Sequence, residues 1–510
     1  MGGWSIRWRD ESDIDSEGSL FAVFAALARG EADSFPGLRP HQREPWHAFC
    51  VQVAAMALIR AGESVLPGAE GEWRRLLIGL TPEWPDGEAW ALVGDDWAKP
   101  ALLQPPLVRP SDTKDYKNRI TTPDALDMLV TSKNHDVKQA CMVHARDEDW
   151  LFALVALQTY EGFLGAGNYG ISRMNGGFAS RMSLGVRPLG GTSAAFARDV
   201  CRLVATADRR RERQAGIPLL WLPPWDGTES LSFGALDPLY VDICRRVRLV
   251  REGEALIART AGSRGARVAA ADLKGRTGDP WAPIKGDGSA SVTPTSAGFG
   301  YRQIARLLDP GETNRPLLAE PAEDDDREGL GIVATALVRG QGKTEGWHRR
   351  AIAFSRHSGL TVKQAFLDRL GRVAKARSDD AGKVAGALRR ALFSLFQGAP
   401  VKRRSDGTFA DATRFDDQPT DKKTQPWTRR FDVEVDRIFF DEPFWAEVDE
   451  EQGQHRRSWR VQLREIARGV LEEAAETAPR SDVRRYRARV RARSFLDAQL
   501  YRFVEDRDGE

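Results

Sequence analysis

The feature that most limits what this chain can fold into is a change of texture near residue 360. Beyond it, apolar residues recur at helical spacing through 361–376, 380–397, 430–448, 456–477 and 480–505, in segments rich in Ala, Leu, Arg and Glu. Those side chains lose little freedom in a helix, and an apolar stripe of that period has to be buried against another helix. Pro479 falls between the last two segments, and the residue before a proline is pushed out of the helical region. The stretch 399–427 is polar and poor in large aliphatic residues, so it reads as a linker or long loop.

Ahead of residue 360 the pattern is mixed. Residues 43–60 read as a helix buried over much of its surface, with Pro45 near its start, where a missing N–H costs little. Residues 147–160 read as a second apolar helix whose acidic first turn, Asp147, Glu148 and Asp149, suits the positive end of the helix dipole. The segments 216–223 and 247–259 alternate well enough to suggest strands, and 330–355 reads as a strand, a tight turn through Arg339 to Lys343, and a second strand. Residues 65–115 look irregular, and 275–300 reads as a long loop. The predicted class is α+β: a large mixed α/β N-terminal domain over residues 1–358, then a C-terminal helical bundle of four-helix type over 359–510.

A length of 510 residues exceeds what one ordinary core serves, which independently predicts at least two domains. Apolar content of 41% with 29% charged residues is that of a globular protein. The net charge is only +2, so any nucleic-acid surface must be a local cluster of cations balanced by acid elsewhere. Cys50, Cys141, Cys201 and Cys244 form no CxxC pair, which argues against a disulfide framework and a cysteine-rich zinc site. The polar, acidic N-terminus does not read as a signal peptide, and no stretch reaches the ~18–20 consecutive apolar residues of a membrane span. The expected location is cytoplasmic.

The most unusual segment is Gly162 to Arg198, which is rich in Gly, carries Arg173, Arg181, Arg187 and Arg198, and contains no Asp or Glu. Within it, Gly165-Ala166-Gly167-Asn168-Tyr169-Gly170 formally matches GxGxxG. The dinucleotide fingerprint needs a strand before it and a helix after it; here a helix precedes and an Arg/Gly loop follows. Glycines let backbone approach a groove or phosphate closely, and Arg173 and Arg181 lie nearby with no carboxylate opposing them. A tight loop packed on the helices is the other reading.

Three further segments are candidates. Lys133-Asn134-His135-Asp136-Val137-Lys138-Gln139 is dense in donors for an RNA backbone and base edges, or is a solvated loop. The hairpin presents Arg339, Gln341, Lys343, His348, Arg349 and Arg350, and a stiff polar tip can wedge into a duplex; an exposed surface hairpin is the alternative. In the last helix Arg485, Arg489 and Arg493 share one face at i, i+4, i+8. That stripe either tracks a phosphate backbone or is salt-bridged within the bundle. No HExxH, P-loop or GxSxG stands in the sequence, so no catalytic residue, metal ligand or cofactor is expected; Asp324-Asp325-Asp326 reads as solvated.

The stretches TPDALDMLVTSKNHDVKQ (122–139) and DWLFALVALQTYEGFLGAGNYGISRMNGGFASRM (149–182), with the C-terminal run from FDVEVDRIFFDEPFW (431–445) through PRSDVRRYRARVRA (479–492), resemble the CasA family, the large subunit of the type I-E CRISPR surveillance complex, Cascade. The resemblance implies a non-catalytic, antiviral subunit that reads the protospacer-adjacent motif (PAM) in duplex DNA, starts strand separation and recruits an effector nuclease-helicase. Guide pairing then supplies most of the specificity, a division of labour also seen in another RNA-guided effector.

The family's glycine loop, which enters the motif's minor groove, corresponds to Gly165, Ala166, Gly167 and Asn168. That groove carries a degenerate code, which suits a tolerant reader. The family's lysine finger falls near Lys274, ahead of Gly278 to Trp281. The glutamine wedge falls in the 338–350 hairpin, at Gln341 by residue type or Lys343 by spacing. The loop that touches the crRNA 5′ handle corresponds to about 131–144, with Lys133, Asn134, His135 and Lys138, and Arg485, Arg489 and Arg493 would hold the displaced strand. The implied partners are crRNA, double-stranded target DNA, the backbone, small and handle-binding subunits and the nuclease-helicase. Two other readings stay open: a metal-dependent nucleic-acid-modifying enzyme built on His135, Asp136, His144 and distant carboxylates, and a scaffold whose basic residues are all salt-bridged.

Overall fold

A computed structural model describes residues 4–127, 144–177, 181–207, 216–323, 325, 329–340, 343–354, 362–449, 454–478 and 481–505. The chain forms two compact units. One comprises 1–299 and 311–363; the other comprises 300–310 and 364–510. The segment 300–310 therefore belongs with the C-terminal helices although it lies far ahead of them in sequence. The α+β class is observed, with small sheets and helices in the first unit and a helical C-terminal unit.

The first unit is built around two buried helices. Arg43–Ala61 is buried on every side from Glu44 to Leu58, as apolar residues distributed all around it require. Asp147–Tyr160 packs beside it, with Trp46 and Phe152 rings meeting edge to face at 5.1 Å. Polar side chains inside such helices must find partners, and two of them organise the surrounding loops. Gln52 Nε2 donates to the carbonyls of Leu239 and Tyr240 at 3.0 and 2.9 Å. Gln158 Nε2 donates to Leu103 and Arg245 carbonyls, while its Oε1 accepts from the Cys244 and Arg245 N–H groups, all between 2.8 and 2.9 Å.

Two three-stranded antiparallel sheets frame these helices. In one, Leu330–Gly340 is the central strand between Lys343–Ala353 and Ser183–Pro188. In the other, Ala255–Ala261 lies between Asn118–Ile120 and Arg246–Glu252. The alternation read over 247–259 is thus a hairpin turning at Gly253. Of 216–223 only Ile217–Leu219 is a strand, paired in parallel with Leu236–Val241.

The C-terminal unit differs from expectation in three places. Residues 361–376 and 380–397 belong to one helix, Gln364–Gln397. At their junction Arg377 and Asp380 are buried and paired instead of breaking the helix: Arg377 donates to Glu447 at 2.6 Å and stacks on Trp459, while Asp380 accepts from Arg456 and Arg460. Residues 430–448 span two helices, Gln418–Ile438 and Glu442–Asp449. The expected linker 399–427 contains a hairpin, Val401–Arg403 with Phe409–Asp411, and the first turns of the helix Gln418–Ile438. The helices Gln454–Thr477 and Asp482–Glu505 complete the bundle. Short helices at Leu20–Arg29, Glu70–Gly79, Thr192–Ala205 and Tyr301–Leu308 were not apparent from the sequence.

Candidate nucleic-acid interface

The glycine-rich segment leaves the end of the helix Asp147–Tyr160 at Glu161 and doubles back at once. Ile171 N donates to Glu161 O at 3.0 Å and Leu164 N to Asn168 O at 2.9 Å, while Asn168 N closes the tip on Gly165 O at 3.0 Å. The turn needs left-handed backbone at Gly165 and Gly167, with φ of 111° and 85°, a region that costs other residues energy. Ala166 and Asn168 are exposed at its crest. At its base a Cβ on Gly170 would stand 2.8 Å from the Gly162 carbonyl carbon, so the two arms touch backbone to backbone.

Buried arginine holds the turn. Arg245, itself fixed by Gln158, donates to the carbonyls of Gly162 (2.9 Å) and Tyr169. Ser263 N donates to Gly167 O at 3.1 Å. A single guanidinium with several fixed donors suits this task. Beside Ser263, Arg264 is exposed, with no side-chain partner among the described residues. Sequence reasoning missed Arg264; the only signal was its place between Gly262 and Gly265.

The structure corrects the reading of Arg173 and Arg181 as unopposed cations. Arg181 is 1% exposed and forms a bidentate pair with Asp279, stacking on Tyr160 and Trp281. Burial opposes its charge, but Asp279 holds its pKa above the ordinary arginine value. Arg173 is also 1% exposed, with its guanidinium 3.9 Å from the Tyr240 ring centre and a bond to Tyr240 O at 2.8 Å. Ser172 N and Oγ donate to Asp242 at 2.8 and 2.6 Å. Burial raises the Asp242 pKa, and burial pushes the Tyr240 hydroxyl up to about 12. Both arginines thus anchor the segment from beneath, and neither presents its charge at the surface.

Those anchors also locate Lys274. Gly275 packs against Met174, where a Cβ would come within 2.8 Å of the Met174 carbonyl carbon, and Asp279 is bound by Arg181. Lys274 stands just ahead of these ties with left-handed backbone (φ 50°), and Ser291 N donates to its carbonyl at 2.9 Å. Its side chain is exposed without a partner among the described residues. Lys274 is thus joined to the glycine-rich segment through its neighbour Gly275, which packs on Met174.

The hairpin is present, but Gln341 lies outside the described residues, and Lys343 is placed only as the first residue of its strand. Arg339, expected at the exposed tip, is instead buried at 4% exposure and paired with Glu161. Arg349 is exposed, whereas Arg350 donates to Phe299 O at 3.0 Å. Lys133, Asn134, His135 and Lys138 lie outside the described residues. Asp325 is not solvated; it is buried and binds Arg198 at 2.7 Å. In the last helix, Arg489 pairs with Glu472 and Glu476 at 2.5 and 3.1 Å, and Arg493 with Glu472 at 3.2 Å. Those two follow the salt-bridged reading of the stripe, and Arg485 is likewise not without interactions. Among the described residues no group of three His, Cys, Asp or Glu side chains is placed to hold a metal ion, and no helix is long and apolar enough to cross a membrane.

No protein-family model matches the sequence, and no curated protein sequence matches it significantly. Solved structures do. CasA from Thermus thermophilus superposes with a TM-score of 0.61 at 14% identity, over 97% of this chain and 98% of that one. Cse1 from Thermobifida fusca gives 0.60 at 15% identity, over 98% and 97%. A chain of a CRISPR RNA-guided surveillance complex gives 0.57 at 14% identity, over 97% and 98%. Over nearly its whole length, this chain has the fold of the CasA/Cse1 proteins.

Proposed function

We propose that this protein is the non-catalytic large subunit of a type I-E crRNA-guided antiviral complex in the cytoplasm. It reads a short motif in duplex DNA, starts strand separation there and recruits an effector nuclease-helicase. The observation that carries the reading is the full-length fold match, which includes a chain from an RNA-guided surveillance complex. The site geometry supports it: the exposed, backbone-braced turn at Gly165–Asn168 and the unpaired Lys274 are tied to one another through the glycine-rich segment. A narrow loop of small residues suits the minor groove, and the cations supply phosphate attraction without base readout. On this reading Gly165, Ala166, Gly167, Asn168 and Lys274 contact the motif, joined by Arg264. Gln341 or Lys343 props the adjacent pair open, and Lys133, Asn134, His135 and Lys138 meet the crRNA handle and the neighbouring subunits.

The test is reconstitution with a crRNA-loaded complex that lacks its large subunit, using a duplex library randomised in the bases flanking the target. Incorporation of the chain with enrichment of particular flanking bases is the expected result. Failure to incorporate, together with binding that does not respond to salt, would leave the scaffold reading. Divalent-metal-dependent cleavage by the isolated chain would favour the enzyme.

A further inference from the structure

Arg245 and Arg246 are consecutive and both buried, yet each serves a different loop. Arg245 holds the two arms of the glycine turn through Gly162 O and Tyr169 O. Arg246 Nη1 donates to Gly262 O at 3.0 Å, and its guanidinium lies 5.1 Å from the Tyr116 ring centre. Gly262 opens the loop that follows the strand Ala255–Ala261, and this loop closes on the turn where Ser263 N meets Gly167 O at 3.1 Å. On its other side Arg264 N donates to Gly227 O at 2.6 Å, and a Cβ on Gly227 would stand 3.0 Å from Ser263 Cα. The backbone is thus fixed at Gly262, Ser263 and Arg264, while the Arg264 side chain is exposed without a partner among the described residues.

The same end of the sheet carries a second free cation. Asn118 pairs with Thr260, so the preceding Lys117 lies at the end from which the loop departs. Its side chain is also exposed without a partner among the described residues. Two carboxylates of the adjoining loops are already engaged: Asp115 meets Arg246 at 3.4 Å, and Asp226 accepts from Thr228 N and Oγ at 2.9 and 2.6 Å. Arg245 is bonded to carbonyls alone, and a fixed cation in a buried setting raises the potential of the surface above it. We infer that Gly262–Arg264 is a second contact element beside the glycine turn, built for phosphodiester backbone: Arg264 binds one phosphate of the duplex and Lys117 another. Phosphate contacts carry no sequence information but fix register and orientation, so these two cations hold the duplex while the turn reads its bases. This rests on the function proposed above.

The experiment compares the parent with R264A and K117A in the reconstituted complex. The duplex carries the enriched motif, and its flanking phosphates are replaced one at a time by neutral methylphosphonates. Both variants remove exposed, unpaired side chains, so both should melt like the parent. Each should weaken binding equally for every flanking sequence and lower the slope of log affinity against log salt by about one unit. In the scan, the parent should lose affinity at two or more phosphates. R264A should no longer respond at one of these, and K117A at a different one, because a phosphate that has lost its cation has no contact left to lose. A variant whose scan matches the parent's, or one that changes which bases are enriched, overturns the inference. A parent that shows no motif enrichment instead refutes the proposed function, and this inference with it.

Discussion

Arg245 lies directly under Gly162 and Tyr169 and donates to both of their carbonyls. The arms of the glycine turn are thus held by a side chain far away in sequence, whose own backbone is gripped by Gln158 from the neighbouring helix. A loop of small residues has little means of holding its own shape, since glycine leaves the unfolded chain many conformations to lose. The surrounding guanidinium and amide groups provide the rigidity that a groove-reading loop needs.

Replacing Gln158 with Leu should therefore damage the turn through its foundation. It would strand two carbonyls and two N–H groups, all buried, and a lost partner costs about 1–3 kcal/mol for each group left unsatisfied. A fall in stability of about 3 kcal/mol or more is expected by chemical denaturation. A change under about 1 kcal/mol would mean that water replaces the amide.

The glycines of the turn should differ in their sensitivity. Gly167→Ala has room for its Cβ, whose nearest neighbour would be 3.7 Å away, so the cost is the left-handed backbone, about 1 kcal/mol. Gly170→Ala meets the Gly162 backbone at 2.8 Å and must push the two arms apart. Thermal melts should rank G170A well below G167A. Gly167→Trp should spare complex assembly but abolish motif-dependent capture, and unchanged capture would remove the turn from the mechanism.

Lys274 and Arg489 separate free from committed charge. Lys274→Ala should lower the slope of log affinity against log salt by about one unit, as expected for one phosphate contact. Arg489→Ala removes a charge already shared with Glu472 and Glu476, and should leave that slope almost unchanged. Equal losses for the two variants would restore the stripe on the last helix as a contact to the displaced strand.

Acid should act through the buried cluster around Arg187. Burial works against ionisation of Glu44 and Asp199. Arg187 nevertheless holds the Glu44 carboxyl below its ordinary range, and His47 and Arg187 do the same for Asp199. Their folded pKa values lie below the unfolded ones, so their stabilisation is present above the unfolded pKa and is lost as pH falls through the folded values. Asp242 has the opposite sign: its raised pKa favours the folded state as pH falls. In melts from about pH 6 to about pH 3, E44Q should begin less stable than the parent and lose less on acidification. A parental slope in E44Q would assign the acid response to other carboxylates.

Much of the architecture was legible because it is written in local period and composition. The helices Arg43–Ala61 and Asp147–Tyr160, the hairpin of Leu330–Gly340 with Lys343–Ala353, and the helical C-terminal unit all follow from apolar spacing that only one backbone geometry can bury. The fate of charge was not legible. Arg173 and Arg181 sit in sequence among glycines with no acid nearby, and Arg339 reads as part of an exposed tip, yet Arg181 and Arg339 find Asp279 and Glu161, and Arg173 finds Tyr240. Likewise, the polar junction at Arg377–Asp380 reads as a helix break but lies inside one helix, because Glu447, Arg456 and Arg460 arrive from distant segments. Local sequence determined which backbone elements form, since helix and strand preferences act over a few residues. Only the tertiary structure decided which cations remain at the surface, because an ion pair depends on proximity in space, and a buried charge has to be paired wherever in the chain its partner lies.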